Sequence, residues 1–494
     1  MISSKGLTLS VSDRLVFSPT VLLLSPFLSQ MTWRPQYRSS KFRHVFGKAA
    51  TKEYCYDGVP ITRSVHDNQL CAVNPRFLAV ITECAGGGAF LVLPIHHTGK
   101  VDPHHPRVSG HRGNVLDIKW NPFNDFCIAS CSEDATVKIW DIPKHGILKN
   151  VTVPTKELQG HSRRVGLIEW HPTASNILFS TGYDYQVMIW NLDSQEQVMK
   201  NPVRTISVHQ DVVLSMSFNM DGSRLATSCK DKKIRIIDPR TGALLQESNC
   251  KSHKASKVLY LGNLKMLVST GCSRWNHRQI ALWDQEDLSV PLLQEDLDGS
   301  SGVIFPFYDP DTHMLYLAGK GDGNIRYYEI SSEKPYVHFL TEYRSHLPQK
   351  GMGFMPKRGL DVCSCEVFRF YKLVTIKSII EPLSMIVPRR SETYQEDIYP
   401  MTAGNEAALT ADDWLAGMDK GLRPWQDEKN GSAVSNGQEP PQNSPPKTEN
   451  ELRQVFYRQQ EEIRRLRELL SQRDVRVMQL ELEIKNVRNS QASH

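Results

Sequence analysis

The sequence predicts an all-β fold built from repeated units of about fifty residues, followed by a long helix. Two observations indicate the repeats. The stretch from Gly110 to Ile142 returns fifty positions later as Gly160 to Leu192. Within each copy, segments such as VLDIKW and VKIWDI alternate apolar and polar side chains, as packed β-strands do. Near the C-terminus, by contrast, apolar residues recur at the spacing of a coiled coil.

Further copies extend the repeat along the chain. A third begins at His209, a fourth at His253, and a fifth, around Tyr308 and Asp322, lacks the histidine. Each well-formed copy has a Gly-His loop followed about thirty residues later by an apolar run that ends in Trp-Asp or Trp-Asn. This pattern resembles the WD40 repeat, in which each copy forms one four-stranded blade of a β-propeller.

The WD40 resemblance implies a buried, hydrogen-bonded chain of four side chains in each blade. Such a network is tolerated only when all of its groups are paired, which accounts for the residue types. His and Asp also suit acid–base catalysis, but one set per repeat at a fixed offset favours a structural role. The two sets are His111, Ser130, Asp134 and Trp140, and His161, Ser180, Asp184 and Trp190.

Composition bounds the remaining possibilities. The chain has 494 residues, of which 40% are hydrophobic, enough for a large core. Its net charge is only +5 and its basic residues are scattered, so no nucleic-acid-binding stripe is indicated. The ten cysteines include no Cys-x-x-Cys pair. Neither a zinc site nor a disulfide framework is predicted, and a reducing compartment fits best.

No catalytic constellation emerges from the sequence. The glycine-rich AGGGAF at 85–90 lacks the Gly-Lys-Ser/Thr ending of a phosphate loop and a following helix pattern. We interpret it as a strand or hairpin with close backbone approach. Nowhere does a nucleophile pair with a base. We therefore predict that the protein is not an enzyme and uses no cofactor or metal.

The first thirty residues allow two interpretations. The apolar run VLLLSPFLS at 21–29 suits a secretory signal, but it is short and contains Pro26. The alternative, which we favour because a cysteine-bearing repeat region without a disulfide pattern follows, is a disordered or alternative N-terminal extension. No run is long enough to predict a transmembrane segment.

Several segments resemble one particular family. SSKFRHVFG at 39–47 and CAVNPRFLAV at 71–80 resemble the opening of the coronins, which are actin-associated WD40 proteins. The resemblance continues through MPKRGLDV at 355–362 and VPRRSETYQEDIYP at 387–400. It covers essentially residues 31–420 and the C-terminal helix. The details are most similar to the vertebrate type 2 coronins.

The coronin resemblance implies a seven-bladed propeller. Two degenerate blades, at roughly 66–100 and 340–380, would join the five visible repeats, and the segment Lys41–Phe46 would close the ring by pairing with strands from its end. A polar, proline-rich stretch after the propeller predicts a flexible linker. The predicted divisions are an N-terminal extension at 1–30, the propeller at 31–386, an extension packed on it at 387–421, the linker at 422–446 and a coiled coil at 447–490.

A helix is predicted to begin at the capping box Thr448–Glu451. Nine of its eleven seam positions are apolar over five heptads, which favours a parallel coiled coil over a single helix lying on the propeller. The stretch from Arg476 to Glu481 resembles a trimerisation motif, so we favour a trimer, although the seam also suits a dimer. The predicted oligomerisation residues are Leu452, Phe456, Ile463, Leu466, Leu470, Arg476, Val477, Leu480, Glu481, Ile484 and Val487.

The same resemblance implies a function in actin organisation, cell motility and adhesion. Filamentous actin is the expected partner, together with the Arp2/3 complex and adhesion proteins, at the actin cytoskeleton in the cytoplasm. Because the surface of actin is acidic, basic propeller residues are the binding candidates. These candidates are Lys41, Arg43, Arg63, Lys232, Lys233, Lys357 and Arg358.

One departure keeps a second function open. In type 1 coronins an arginine important for filament binding occupies the position that aligns with Pro60 in GVPIT. Proline supplies no charge, and Arg63 lies three residues further on. The alternative function is an oligomeric adaptor that gathers adhesion, membrane-cortical or nuclear regulatory proteins on its propeller without tight filament binding.

Overall fold

Short strands separated by tight turns make up almost all of the regular structure. The computed structural model describes residues 38–84, 88–248, 253–390 and 395–424. The first strands are β1 (Phe46–Ala49), β2 (Tyr56–Asp57), β3 (Cys71–Val73), β4 (Phe77–Ile81), β5 (Ala89–Pro94), β6 (Gly99–Lys100), β7 (Arg107–Ser109), β8 (Val115–Asn121), β9 (Asn124–Ser132), β10 (Val137–Asp141), β11 (Lys156–Leu158), β12 (Val165–Trp170), β13 (Ile177–Gly182), β14 (Val187–Asn191), β15 (Val198–Met199) and β16 (Arg204–Ile206).

The second half continues the same alternation of strand and turn. Its strands are β17 (Val213–Phe218), β18 (Leu225–Cys229), β19 (Ile234–Ile237), β20 (Leu244–Glu247), β21 (Lys254–Tyr260), β22 (Met266–Cys272), β23 (Arg278–Asp284), β24 (Leu293–Asp298), β25 (Ile304–Asp309), β26 (Met314–Gly319), β27 (Ile325–Ile330), β28 (Val337–Tyr343), β29 (Met352–Phe354), β30 (Glu366–Val374) and β31 (Ile379–Ile386). The helices are α1 (Ala411–Leu415) and six 3₁₀ turns, Lys52–Tyr54, Gly262–Leu264, Lys357–Gly359, Val362–Ser364, Thr375–Lys377 and Glu396–Ile398.

These strands form seven sheets, which are the blades of the propeller. The first six blades are β3-β4-β5-β7, β8-β9-β10-β11, β12-β13-β14-β16, β17 to β20, β21 to β24, and β25 to β28. Strand β15 adds a parallel outer edge to the second blade. The seventh blade combines β29, β30 and β31 with β1, β2 and β6 from the start of the chain. The predicted seven-bladed WD40 propeller is confirmed.

The two faces of the propeller follow from the strand register. In each blade the first, innermost strand begins beside the end of the second strand, as in the pairs Val213–Cys229 and Lys254–Cys272. We call the face where the innermost strands begin the upper face and the opposite one the lower face. The turns between second and third strands therefore lie on the upper face, and those between third and fourth strands on the lower face.

The ring closes through the N-terminal strands, but the bounds predicted for the closing segment are wrong. Strand β1 pairs antiparallel with β31, from Phe46 beside Ile386 to Ala49 beside Leu383. Residues 41–44 form a turn instead. The physical reason is close packing at Gly47, where an added Cβ would lie 2.7 Å from a ring carbon of Tyr343. The glycine lets β1 approach the sheet where the preceding residues would not fit.

The segment after the last blade packs on the lower face. Leu409 forms a β-bridge with Ala174 in the third blade. Trp414 of α1 is fully buried, with its ring centroid 4.8 Å from that of His171. The Arg240 Nε donates a 2.7 Å hydrogen bond to the Trp414 carbonyl oxygen. These contacts hold residues 395–424 against the propeller.

The remaining divisions stay predictions. The N-terminal extension, almost all of the linker and the whole coiled coil lie outside the described residues. Within the described ranges, no helix is long and apolar enough to cross a lipid bilayer.

Closure of the ring can be tested at Val45, which precedes β1 and is 1% exposed. Its carbonyl oxygen accepts a 2.9 Å hydrogen bond from the Tyr327 hydroxyl. We expect Val45→Ala to lower the free energy of unfolding by about 1–3 kcal/mol, because it leaves a cavity between the last two blades. Urea unfolding measures this change.

The matched control is His44→Ala at the neighbouring, exposed position. It should alter the free energy of unfolding by less than about 0.5 kcal/mol. Equal effects of the two substitutions would contradict the closure observed here.

Candidate functional site

The structure brings together the predicted network of the second blade. Ser130 Oγ accepts a 2.8 Å hydrogen bond from the Trp140 indole N–H and lies 2.8 Å from His111 Nε2. His111 Nδ1 lies 2.9 Å from an Asp134 carboxylate oxygen. The four side chains thus link the third strand, the second strand, the entry loop and the turn of one blade.

The third blade repeats this geometry. Trp190 donates to Ser180 at 2.9 Å, and His161 joins Ser180 at 2.8 Å to Asp184 at 3.0 Å. Burial opposes ionisation of Asp184, but the hydrogen bond and charge of His161 outweigh it and lower the carboxyl pKa. The same causes lower the pKa of Asp134. These carboxylates are committed to holding their histidines, which fits the structural role predicted for them.

The network is altered in the next blades, where arginines and an amide replace missing members. In the fourth blade Ile237 replaces the tryptophan, and Asp231 pairs with Arg235 at 2.7 Å instead of with His209. In the fifth, His253 Nδ1 lies 3.1 Å from the Gln279 side-chain oxygen. In the fifth blade the replacement keeps the histidine paired on both nitrogens, whereas in the fourth His209 Nδ1 is buried without a partner among the described residues.

The central channel contains a second set of buried charges. The innermost strands surround a cavity of about 330 Å³, lined in part by Asp117, Lys119, Glu169 and Lys257. Lys119 pairs with Glu169 at 3.0 Å. Burial raises the pKa of Asp117 to about 6 and lowers that of Lys257 to about 8. The cavity shows no nucleophile–base pair.

Three predicted actin-binding residues lie on the upper face. Arg63 is exposed, in the segment that crosses this face before the first blade. Lys232 is exposed in the turn between β18 and β19. Lys233, in the same turn, is partly covered and pairs with Glu247 at 2.5 Å.

The other four candidates lie on the lower face. Lys41 is exposed and donates to the Asp397 carbonyl oxygen at 2.9 Å, and exposed Arg43 donates to the Arg38 carbonyl oxygen at 3.1 Å. Lys357 pairs with the fully buried Asp309. Arg358 forms a two-point ion pair with Asp125, with one bond of 2.7 Å. The structure therefore does not unite the seven candidates, and it neutralises the charges of Lys357 and Arg358 within the fold.

Further basic residues on the upper face were missed by sequence reasoning. All are exposed and lie in turns that bound the innermost or central strands. They are Arg112, Arg163, Lys230, Arg274 and Lys377. The available signal was the Gly-His loops, because Arg112 and Arg163 each lie within two residues of a loop histidine.

The lower face carries exposed charges of both signs. Exposed carboxylates end or follow the third strand of several blades, at Asp141, Glu196, Glu286 and Glu333, but exposed lysines, including Lys144 and Lys265, lie on the same face. The upper face instead repeats exposed cations in the turns named above, and clustered cations attract an acidic partner. The upper face is therefore the better candidate surface for an acidic partner.

Comparison with known proteins decides the family. Models described as "WD domain, G-beta repeat" match residues 105–141, 152–191 and 200–238. A "Type of WD40 repeat" matches 380–422, and a "Domain of unknown function (DUF1899)" matches 35–100. Human Coronin-2A is 63% identical, over 93% of this chain and 99% of its own. The chain belongs to the coronin family.

Other relatives agree with this assignment and with the predicted type 2 resemblance. Human Coronin-2B is 62% identical to this coronin-family chain, over 94% of the chain and 99% of its own length. The WD40 domain from Toxoplasma gondii coronin superposes with a TM-score of 0.72 at 27% identity. That match covers 78% of this chain and 98% of the solved one.

Two positions near the start of this coronin-family propeller bear on the filament binding expected from the sequence. Pro60 is half-buried, and its carbonyl oxygen accepts a 2.9 Å hydrogen bond from the Glu83 backbone N–H. Arg63 lies three residues later on the same crossing segment. Its side chain is therefore the nearest exposed cation to the uncharged Pro60 position among the described residues of this segment.

The predicted oligomerisation residues, from Leu452 to Val487, lie outside the described residues. The same holds for residues 85–87 of the glycine-rich segment. Gly88, which is described, has φ +74°, and an added Cβ would lie 2.2 Å from the His111 carbonyl oxygen. That contact is a close backbone approach of the kind predicted for AGGGAF.

The blade network predicts unequal costs for two similar substitutions. Ser130→Ala leaves both the Trp140 indole and His111 without their partner, so we expect it to lower the free energy of unfolding by about 2–4 kcal/mol. Thr227→Val in the fourth blade leaves only His209 unpaired, since Thr227 bonds His209 Nε2 at 2.9 Å, and should cost about 1–2 kcal/mol. Urea unfolding compares them, and equal costs would refute the shared network.

Asp117 predicts a pH-dependent effect. Its folded-state pKa of about 6 exceeds the usual 3.8, so ionising it destabilises the fold as pH rises through this window. Asp117→Asn removes the titration. The free energy of unfolding of the variant minus that of the parent chain should therefore be about 1 kcal/mol larger at pH 8 than at pH 5.

Urea unfolding at the two pH values measures this difference. Asp102→Asn, at an exposed position, serves as control and should show no such gain. A gain for Asp117→Asn that is the same at both pH values would show that its carboxyl titrates normally.

Proposed function

We propose that this coronin-family protein binds actin filaments through the upper face of its propeller and acts in actin organisation. The observation that carries the proposal is the concentration of exposed basic side chains on this face. Arg63 and Lys232, predicted from the sequence, share it with Arg112, Arg163 and Lys230. An acidic filament surface complements such a face.

Exposed ion pairs are individually weak, about 0–1 kcal/mol each. A single propeller would therefore hold a filament loosely. The predicted coiled coil, which we infer to form a trimer, would join several propellers and raise their effective concentration along a repetitive target. Weak contacts then suffice for stable attachment. The wider proposal places the protein at the actin cytoskeleton in the cytoplasm, with the Arp2/3 complex and adhesion proteins as further partners.

An adaptor function is the second candidate, and one observation favours it. The lower face carries a cavity of about 690 Å³, lined in part by Phe354, Pro400 and Met401. Met401 is 80% exposed at its edge. A cavity of this size with apolar walls suits an inserted side chain of a protein partner. Binding there would depend little on salt, whereas filament binding by the upper face would depend on it strongly.

The face that binds filaments can be tested by matched charge reversal. Arg112→Glu with Arg163→Glu alters the upper face, and Lys144→Glu with Lys149→Glu makes the same charge change at exposed positions of the lower face. We expect the upper-face variant to lose about tenfold in filament affinity and to show a weaker salt dependence. The lower-face variant should bind like the parent chain. Co-sedimentation with actin filaments at several salt concentrations measures both.

A larger loss in the lower-face variant would contradict the proposal. If the parent chain does not pellet with filaments even at low salt, direct binding is wrong and the adaptor function takes its place. A chain ending at Pro446 tests the coil separately. It should pellet only at low salt, because it lacks the linked propellers.

A further inference from the structure

One tryptophan, which lies on the upper face, differs from the repeat tryptophans in being exposed to solvent. Trp275 lies in the turn between β22 and β23 and is 83% exposed. The repeat tryptophans Trp140, Trp190 and Trp283 are at most 1% exposed. An indole left in water forgoes a large gain from burial, so its exposure indicates a surface that another molecule covers.

Hydrogen bonds order the backbone of the turn that carries this indole. Ser273 Oγ accepts hydrogen bonds of 3.1 Å from the backbone N–H groups of Trp275 and His277. Asn276 adopts φ +62°, and its N–H donates to the Ser273 carbonyl oxygen at 3.1 Å. A turn ordered in this way presents its side chain with little further loss of entropy on binding.

Exposed basic side chains lie in this turn and in the corresponding turn of the preceding blade. Arg274 is its exposed neighbour, and Lys230 and Lys232 are exposed in the corresponding turn of the preceding blade. The two turns are neighbours around the ring, because the strand β21 between them bonds to both blades. On the fourth-blade side, Ser228 Oγ donates a 3.1 Å hydrogen bond to the carbonyl oxygen of Ser256 in β21. On the fifth-blade side, β21 pairs with β22 in the register that places Lys254 beside Cys272.

The acids near these turns already have partners. Asp231 pairs with Arg235 at 2.7 Å, and Asp296 accepts a 2.7 Å hydrogen bond from the Gln279 side-chain amide. The side chains of Lys230, Lys232 and Arg274 thus retain their positive potential toward solvent. An exposed indole with one cation beside it and two in the turn of the adjacent blade matches an acidic protein surface that offers an apolar recess.

We propose that Trp275 is the apolar anchor of the filament contact, with Lys230, Lys232 and Arg274 as its charged rim. This inference rests on the proposed function and goes beyond it, since it places the strongest contact at the fourth and fifth blades. Buried aromatic anchors dominate protein interfaces, while rim charges set the salt dependence and the association rate. The two kinds of residue therefore affect binding in different ways.

An anionic membrane is the other surface that attracts an indole beside cations. Lasting membrane attachment requires several inserted apolar groups or a long chain. Within the described part of these two turns, Trp275 is the exposed large apolar side chain. A single anchor with a rim of cations fits a protein interface better.

The test compares Trp275→Ala with Leu148→Ala, which removes an apolar side chain that is 82% exposed on the lower face. Full chains are co-sedimented with actin filaments across a range of salt concentrations. We expect Trp275→Ala to weaken binding at least about tenfold at every salt concentration, without changing the slope of log affinity against log salt. Lys230→Glu with Lys232→Glu should reduce that slope, and Leu148→Ala should change nothing. Trp275→Phe should restore part of the affinity.

The outcomes separate the inference from the function it rests on. If the parent chain binds filaments and Trp275→Ala binds equally well, the inference is wrong and the proposed function stands. If the parent chain does not bind filaments, both fail. Flotation with phosphatidylserine vesicles adds a third arm, and a loss for Trp275→Ala on vesicles but not on filaments would overturn the inference in favour of a membrane surface.

Discussion

Pairing between the start of the chain and the last blade is the constraint on which the rest of the structure depends. A ring of separate sheets leaves two unpaired edges unless its ends are joined. Here β1 and β2 both pair with β31, so the last blade is completed by residues more than three hundred positions away. Closure makes the propeller one rigid disc and fixes the position of every turn around it.

In a rigid disc, the strand topology decides on which face each charged turn lies. Turns between second and third strands reach the upper face, where exposed Lys232 lies, while turns between first and second strands reach the lower face, where exposed Lys265 lies. Two exposed lysines from neighbouring blades thus lie on opposite faces of the propeller. Exposed cations repeated in the turns of one face would give the proposed filament-binding disc a preferred orientation, with the apolar Trp275 as the proposed anchor on that side.

The repeats could be predicted from the sequence because each blade depends on residues at short, regular spacing. His111, Ser130, Asp134 and Trp140 lie within one repeat, and they meet as the pattern implies. The same regularity made five of the seven blades predictable from the residues alone. Coronin-specific segments supplied the two degenerate blades that the repeat alone does not show.

Contacts between distant segments could not be predicted in this way. Arg358 is neutralised by Asp125, 233 positions away, so its burial depends on the closed ring rather than on local pattern. The start of β1 depends on the packing of Gly47 against Tyr343 of the sixth blade. The upper-face cations were overlooked because their common location appears only when successive turns are placed on one face.

Hydrogen exchange of the propeller with and without actin filaments tests the central claim most directly. The account predicts added protection in the upper-face segments 110–114, 160–164, 230–233 and 273–277. Lower-face segments, such as 142–148, should exchange as they do in the free protein. Protection confined to the lower face would contradict the assignment of the binding surface.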